Sequence, residues 1–332
     1  MAGSTALPLR AVVVGTGWGR HHAEGYSQAD GVEFAGFCVR TASERSVAAA
    51  RRFNVPLFVG LENMLAEVRP DLVSVATREP EHRAVTVAAL EAGAHVYCEK
   101  ALAETVEDAA AMVEAARRAD RQLMAGYNYR FSPSMQHLRS VVDRGRLGVV
   151  LYAQALTFGY CLHHTLDLLC SFLGEVDELF ATFRAEGPAP TAVPTQYIGD
   201  WCYSAGASRT IHLRFRSGAV AQLASSDYQL FGHPAVRIDL GGTEARAQVD
   251  DIVGRVTVHR GERTAELWQP SLIRDRLDLG STAVAAVGAF AAAVRAGQPV
   301  PIPGEQGLRM LRIERACVRS QRLGQPVGVD EA

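Results

Sequence analysis

Short apolar runs alternate with amphipathic helical stretches through the first 126 residues, and this alternation limits the folds open to the chain. Helical spacing of apolar residues occupies 43–53, 81–93 and 105–119. Strands and helices in alternation predict a doubly wound parallel sheet in an α/β domain over residues 1–126. The apolar runs predicted as strands are LRAVVVG (9–15), VEFAGFCV (32–39), DLVSVAT (71–77), AHVYCE (94–99) and RQLMAG (121–126).

The pattern changes at Tyr127 and predicts a second, α+β domain over residues 127–332. Helical spacing at 132–144 precedes an apolar strand at 149–158 and a helical run at 163–174. Period-2 segments then predict an open, mostly antiparallel sheet. These segments are 209–215, 219–225, 235–240 and 254–260, with a Pro-rich loop at 187–194 and further helices at 281–297 and 304–323.

Composition and charge favour an ordinary globular protein and exclude several classes of function. Hydrophobic residues make up 48% and charged residues 21% of the chain, and the net charge is −2. Without a basic excess we expect no nucleic-acid partner, and no apolar run reaches the roughly 18 residues that span a membrane. The start, MAGSTALPLR, lacks the pattern of a secretory signal, and the six cysteines are scattered. We therefore expect a cytoplasmic protein with reduced thiols and no metal site.

A glycine turn follows the first predicted strand, in VVVGTGWGRHH. The sixth position of a strict G-x-G-x-x-G is not glycine, but a buried strand precedes the turn and a helix follows it. Glycines there let the backbone approach a pyrophosphate, which the N–H groups of the helix N-terminus stabilise. The turn predicts a bound dinucleotide, contacted by Gly15, Thr16, Gly17, Trp18 and Gly19.

The end of the second strand indicates which dinucleotide binds. A carboxylate about 20 residues after the turn would bind the ribose 2′-hydroxyl of NAD. The sequence there is FCVRTASER, without an acid at the strand end. Its polar and cationic side chains suit a 2′-phosphate, so we expect NADP(H) rather than NAD(H); the alternative for Ser43 is to cap the helix that follows. The residues concerned are Arg40, Thr41, Ser43 and Arg45.

Several motifs in a fixed order resemble the glucose–fructose oxidoreductase/inositol dehydrogenase family (Gfo/Idh/MocA). They are the glycine turn, SVATREPEHRAVTVAALEAGAHVYCEKALAET, AGYNYRFSP and HHTLDLLCSFLG, and the resemblance extends to the segment AAAVRAGQPVPIPGEQGLRMLRIERACVRSQRLGQPVGV. It implies a Rossmann domain joined to an open-sheet domain. It also implies an oxidoreductase that acts with a nicotinamide on a sugar or cyclitol.

The resemblance also assigns residues. Lys100 matches the catalytic lysine, and Glu99 matches its neighbour that lies close to the nicotinamide. His82 matches the histidine five residues after the strand end at Thr77, and both are expected on the cofactor side. His164 matches the histidine that serves as acid or base beside the substrate. On the substrate side the resemblance implies Asn128 and Arg130. Further candidates there, for which packing or structural pairing is the alternative, are Tyr129, Tyr160, His163 and Asp167.

Two positions depart from the family pattern. Ala101 follows Lys100 where relatives usually have proline, and a cis bond before a residue other than proline costs about 2.5–4 kcal/mol. The direction of the Lys100 side chain therefore depends on whether the Lys100–Ala101 peptide bond is cis, as it is before the proline of relatives. Tyr160 stands where the family has an acid, so the usual carboxylate contact to a substrate hydroxyl is missing or supplied elsewhere.

Three functional readings follow from these residues. The first is an NAD(P)-dependent oxidoreductase acting on a sugar-, keto-sugar- or cyclitol-like small molecule. The second is a thiazolinyl imine-type reductase, because those relatives share a shortened central segment and a similar TLDLL run. The third is a cofactor-sensing protein without turnover. In each case we expect a homodimer or homotetramer, paired through the open sheet.

Overall fold

The structure is a computed structural model that describes residues 7–184, 208–226, 236–270 and 279–330. It divides into two compact units. The first comprises Met1–Asn128 with Leu279–Leu311, and the second comprises Tyr129–Asp278 with Arg312–Ala332. The predicted loop at 187–194 lies outside the described residues.

A six-stranded sheet forms the centre of the first unit within the described residues, and all of its strand pairs are parallel. Its order, β3-β2-β1-β4-β5-β6, reverses between β1 and β4. The predicted doubly wound sheet is thereby confirmed, and ligands of such sheets bind at the carboxyl ends beside the reversal. The strands are β1 (Leu9–Val14), β2 (Val32–Val39), β3 (Leu57–Val59), β4 (Leu72–Val75), β5 (His95–Glu99) and β6 (Leu123–Gly126).

Helices connect these strands, as parallel pairing requires. The sequence analysis assigned neither β3 nor the helix after it, because three residues are too few to show a strand period. The predicted helix at 81–93 begins two residues earlier, at Glu79. The helices are α1 (Gly19–Gln28), α2 (Glu44–Phe53), α3 (Leu61–Val68), α4 (Glu79–Glu91) and α5 (Val106–Ala119).

A nine-stranded sheet forms the second unit within the described residues, in the order β14-β13-β12-β11-β7-β10-β9-β8-β15. Its neighbours are antiparallel except β7 and β10, so the predicted mostly antiparallel sheet is confirmed. The elements are α6 (Pro133–Asp143), β7 (Val150–Phe158), α7 (Leu162–Leu173), β8 (Val176–Arg184), β9 (Ser208–Phe215), β10 (Val220–Ser226), β11 (Val236–Gly242), β12 (Arg246–Asp250), β13 (Val256–Arg260), β14 (Arg263–Trp268) and β15 (Val327–Gly328).

Two further helices are α8 (Leu279–Arg295), which packs on α1, and α9 (Gly304–Leu323). Both were expected from helical spacing. None of the helices in the described ranges combines the length and apolar character that crossing a bilayer requires. Five cysteines are buried and form no disulfide in the described part of the chain, and Cys202 lies outside it.

Side chains alternate between the two faces of the nine-stranded sheet. On β7, Ala153 and Ala155 are buried, whereas Tyr152 and Gln154 are exposed. Tyr152 pairs in register with Val220 of β10, and these two side chains are 41% and 51% exposed. One face therefore contributes to the core and the other presents apolar side chains to solvent.

Candidate active site

The glycine turn between β1 and α1 has the geometry that close backbone approach requires. Gly15 has a φ of +97°, and a Cβ there would lie 2.5 Å from the carbonyl oxygen of Ala76. Gly19 begins α1, and a Cβ there would lie 2.7 Å from Val13 Cγ1. Only glycine fits at either position, so Gly19 provides the tight packing of helix on strand that a later glycine provides in the strict motif.

Among the described residues, there is free space beside the backbone at Gly17, in the middle of the turn. The atom nearest to an ideal Cβ on Gly17 is Nη2 of Arg45, at 3.8 Å. Thr16 and Trp18 flank this open backbone, and the Trp18 ring lies 4.7 Å from the ring of His21. An open glycine at a helix N-terminus fits the pyrophosphate of a dinucleotide, and the guanidinium of Arg45 is one of the cations expected for a 2′-phosphate.

The polar residues after β2 divide into two groups. Ser43 caps α2, because its hydroxyl accepts the backbone N–H of Ser46, whose own hydroxyl accepts the N–H of Ser43. Its side chain is thus committed to the helix. Thr41 is exposed, and the exposed guanidinium of Arg40 lies 3.0 Å from Glu81. The cations and the hydroxyl of Thr41 remain the groups suited to a 2′-phosphate.

Lys100 lies in the turn that follows β5, at the carboxyl edge of the parallel sheet. It is half-buried, and the Lys100–Ala101 peptide bond is cis. It is also the only lysine among 34 basic residues, a signal that the sequence analysis missed. The neighbouring Glu99 is 8% exposed, and its carboxylate accepts a hydrogen bond of 3.0 Å from Nε2 of His22.

His22, the second histidine after the glycine turn, joins these residues as a further member of the candidate site. On α1 it lies on the same face as the buried Gly19, Ala23 and Tyr26. A polar side chain on the buried face of a helix needs a hydrogen-bond partner, so the position of His22 predicts such a partner.

His82 lies on α4 and is 1% exposed. Its ring nitrogens face two backbone carbonyls, with Nδ1 at 2.9 Å from Ala101 and Nε2 at 3.4 Å from Thr77. Burial alone lowers the pKa of His82, but Cys98, Glu79 and the Ala101 carbonyl outweigh it and raise the pKa to about 9. Two carbonyl acceptors are the surroundings in which a doubly protonated ring is satisfied.

His164 lies on α7 in the second unit and is 3% exposed. Its ring stacks on Tyr129, with centroids 3.9 Å apart and planes inclined by 12°. The Tyr129 hydroxyl lies 3.2 Å from Sγ of Cys161. Stacking and this contact together limit the orientation of the imidazole ring.

Four residues expected beside the substrate have protein partners. Arg130 forms a bidentate pair with the buried Asp167, at 2.6 and 2.5 Å, and His163 forms a buried pair with Glu314. The carboxylates of Asp167 and Glu314 are therefore largely occupied by these partners. The Asn128 amide donates to the hydroxyl of Thr282 at 2.6 Å, and the side chain of Tyr160 lies outside the described residues. In the described ranges, no group of three or more His, Cys, Asp or Glu could hold a metal ion.

Comparison with known proteins decides the family. Residues 9–127 match an oxidoreductase family with an NAD-binding Rossmann fold, and residues 153–329 match the C-terminal alpha/beta domain of that family. The chain belongs to the Gfo/Idh/MocA oxidoreductases. The resemblance stated from the sequence is confirmed, and with it the Rossmann fold and the class of enzyme.

Individual relatives are sugar dehydrogenases. The chain is 28% identical to UDP-N-acetylglucosamine 3-dehydrogenase of Acidithiobacillus ferrooxidans, over 92% of this chain and 95% of that protein. It is 33% identical to D-glucoside 3-dehydrogenase of Escherichia coli, but the match spans only 47% of this chain and 45% of that protein. Levoglucosan dehydrogenase in complex with NADH and L-sorbose shares the fold, with a TM-score of 0.82 and 20% identity over 98% of this chain and all of that one.

The titration of His82 gives a prediction for stability. A pKa near 9 in the folded state, against about 6.5 unfolded, means that the protonated ring stabilises the fold below about pH 6.5. That stabilisation, about 3 kcal/mol, is lost as the pH rises through 9. We expect His82→Asn to lose less unfolding free energy than the wild type between about pH 6 and pH 10, in urea titrations.

His95→Gln is the matched control, because the pKa of His95 is lowered rather than raised. Burial is the largest cause of this lowering, and Arg121 adds to it. The His95→Gln variant should lose as much unfolding free energy between about pH 6 and pH 10 as the wild type does. An equal loss in wild type and His82→Asn would contradict a protonated His82.

Proposed function

We propose that this chain transfers a hydride between a nicotinamide dinucleotide and a hydroxyl or carbonyl carbon of a sugar-, keto-sugar- or cyclitol-like molecule. The observation that carries the proposal is its only lysine, at the carboxyl edge of the sheet that also bears the glycine turn. The similarity to UDP-N-acetylglucosamine 3-dehydrogenase over nearly the whole chain supports the substrate class.

The identity of residue 100 supports a chemical role. The chain uses arginine at every other basic position, so a mere surface charge at 100 would be expected to be arginine as well. An ammonium is a compact charge that can also lose its proton, whereas a guanidinium stays charged. Lys100 would orient the substrate oxygen and stabilise negative charge that develops on it.

His164 would exchange the proton of that oxygen. An imidazole changes charge near neutral pH, which suits a general acid or base. Its stacking on Tyr129 limits the ring to one plane. The nicotinamide, when bound, supplies or accepts the hydride. Tyr129, Arg130, Tyr160, His163 and Asp167 complete the proposed substrate side, with Arg130 and Asp167 acting as a pair.

The proposed cofactor is NADP(H), bound by residues 1–126, while residues 127–332 bind substrate and form subunit contacts. Thr77 adds support, because among the described residues its buried hydroxyl has no hydrogen-bond partner. With the Gly15–Gly19 turn it joins Arg40, Arg45, His82 and Glu99 as proposed cofactor-side groups. Thr41 is proposed on the same side, whereas Ser43 is a weaker candidate because its hydroxyl also caps α2.

We also propose a cytoplasmic homodimer or homotetramer, paired through the exposed sheet face that carries Tyr152 and Val220. Large apolar side chains in register on an open sheet are typical of subunit interfaces.

Lys100→Met and His164→Ala test the site directly. Each should lower kcat by about 100-fold or more, since a positioned cation and a proton relay are removed. Turnover of keto-sugars, sugars, cyclitols and cyclic imines should be screened, with dinucleotide affinity measured by fluorescence titration. Arg118→Met, on the exposed side of α5, is the control and should behave as the wild type.

Near-normal turnover in both variants would overturn the assignment of Lys100 and His164. Turnover of cyclic imines without turnover of sugars would replace the proposed substrate class with that of the imine reductases.

Arg45→Ala tests the choice of cofactor. A hydrogen bond to a charged group contributes about 1.5–3 kcal/mol, so NADP(H) affinity should fall by about tenfold to 100-fold while NAD(H) affinity changes little. Isothermal titration with both dinucleotides measures the difference. Arg52→Ala, in the last turn of α2, is the control. Equal losses for both dinucleotides would show that Arg45 does not read the 2′-phosphate.

Val220→Glu tests the proposed interface. A charge placed in the centre of an apolar subunit contact should dissociate the oligomer, because burying it unpaired costs several kcal/mol. Sedimentation analysis should show a smaller species than the wild type. Val318→Glu changes a valine on α9 that is 40% exposed, and should leave the wild-type mass. Equal masses for wild type and Val220→Glu would exclude this face.

A further inference from the structure

Two buried histidines bind the chain on either side of Lys100. His22 of α1 holds Glu99, the residue before it, and His82 of α4 holds Ala101, the residue after it. Both rings are almost completely buried, at 0% and 1% exposure. All of these residues belong to the first unit.

The bond between His22 and Glu99 has a definite direction. Nδ1 of His22 is buried and has no hydrogen-bond partner among the described residues, so the ring is held through Nε2. A carboxylate oxygen accepts, and Nε2 at 3.0 Å therefore donates. The ring also packs nearly perpendicular to the ring of Tyr97, with centroids 5.0 Å apart. Ring and carboxylate consequently fix each other's orientation.

His82 acts on the opposite side of the turn. Its Nδ1 lies 2.9 Å from the carbonyl oxygen of Ala101 and its Nε2 lies 3.4 Å from that of Thr77. The ring thus joins the turn after β5 to the end of β4. A backbone carbonyl held in this way limits rotation of the peptide unit next to Lys100.

We propose that His22 and His82 are positioning residues that hold Lys100 through its two neighbours in the chain. The inference rests on the proposed function, in which Lys100 is the cation at the reacting oxygen. His22 lies on the helix that begins at the glycine turn, and His82 follows Thr77. Each histidine therefore ties Lys100 to a segment proposed to hold the dinucleotide.

Paired substitutions separate the hydrogen bond from the ring. His22→Phe keeps an aromatic ring against Tyr97 and removes the donor to Glu99. His22→Gln keeps an N–H near the position of Nε2 and removes the ring. At position 82, Phe removes both hydrogen bonds, whereas Asn keeps a donor near the position of Nδ1.

The single lysine supplies a readout that needs no turnover. Protein labelled with [ε-¹³C]lysine should give one lysine side-chain signal, because Lys100 is the only lysine in the chain. We expect both Phe variants to shift or broaden this signal more than the Gln or Asn variant at the same position does. In steady-state kinetics the Phe variants should lower kcat by about tenfold to 100-fold with little change in KM.

A wild-type lysine signal and wild-type kcat in both Phe variants would overturn the inference. Losses in the Gln and Asn variants as large as those in the Phe variants would also overturn it, because packing alone would then explain them. If one Phe variant does not fold, the pair at the other position decides. If the wild type turns over no sugar, the proposed function fails, and the lysine signal still decides the role of the two histidines.

Discussion

Burial of the parallel sheet on both faces is the constraint on which the rest of the first unit depends. Ala11, Val12 and Val13 of β1 are fully buried, as are Leu72 and Val73 of β4. No ligand can reach such strands from the side, so chemistry is confined to the edge at which they end. The glycine turn, Thr77 and Lys100 all follow strands at that edge. The location of the proposed cofactor is thus a consequence of core packing.

Polar groups at such an edge are half-buried and need fixed partners. The structure supplies them from within the unit, through His22 on Glu99 and His82 on Ala101. Desolvated hydrogen bonds of this kind are costly to leave unmade, which makes the turn after β5 well defined. A defined turn is what a positioned cation requires, since an error of about 1 Å in placement can cost about 100-fold in rate.

The sequence predicted much of this architecture because its signals were local. Strands β1, β2, β4, β5 and β6 were visible as apolar runs, and α5 and α9 as helical periods. The three-residue β3 was not, because its place depends on pairing with β2 rather than on its own pattern.

Within the site, motif residues could be named from the sequence, but their partners could not. Nothing local shows that Asp167 is occupied by Arg130 or that His22 reaches Glu99 across 77 positions, whereas the capping of α2 by Ser43 is a local contact that the sequence already suggested. Such pairs arise only when distant segments fold together. Lys100 differs from these pairs, because the amino-acid composition alone shows that it is the only lysine of the chain. It lies at the centre of the proposed site.

The most direct test follows the [ε-¹³C]lysine signal of the wild-type protein as NADP⁺ and then a sugar substrate are added. Lys100 at the reacting centre predicts one lysine signal that moves when the dinucleotide binds and moves again with the substrate. A signal that stays fixed through both additions, while calorimetry shows that both ligands bind, would contradict the account.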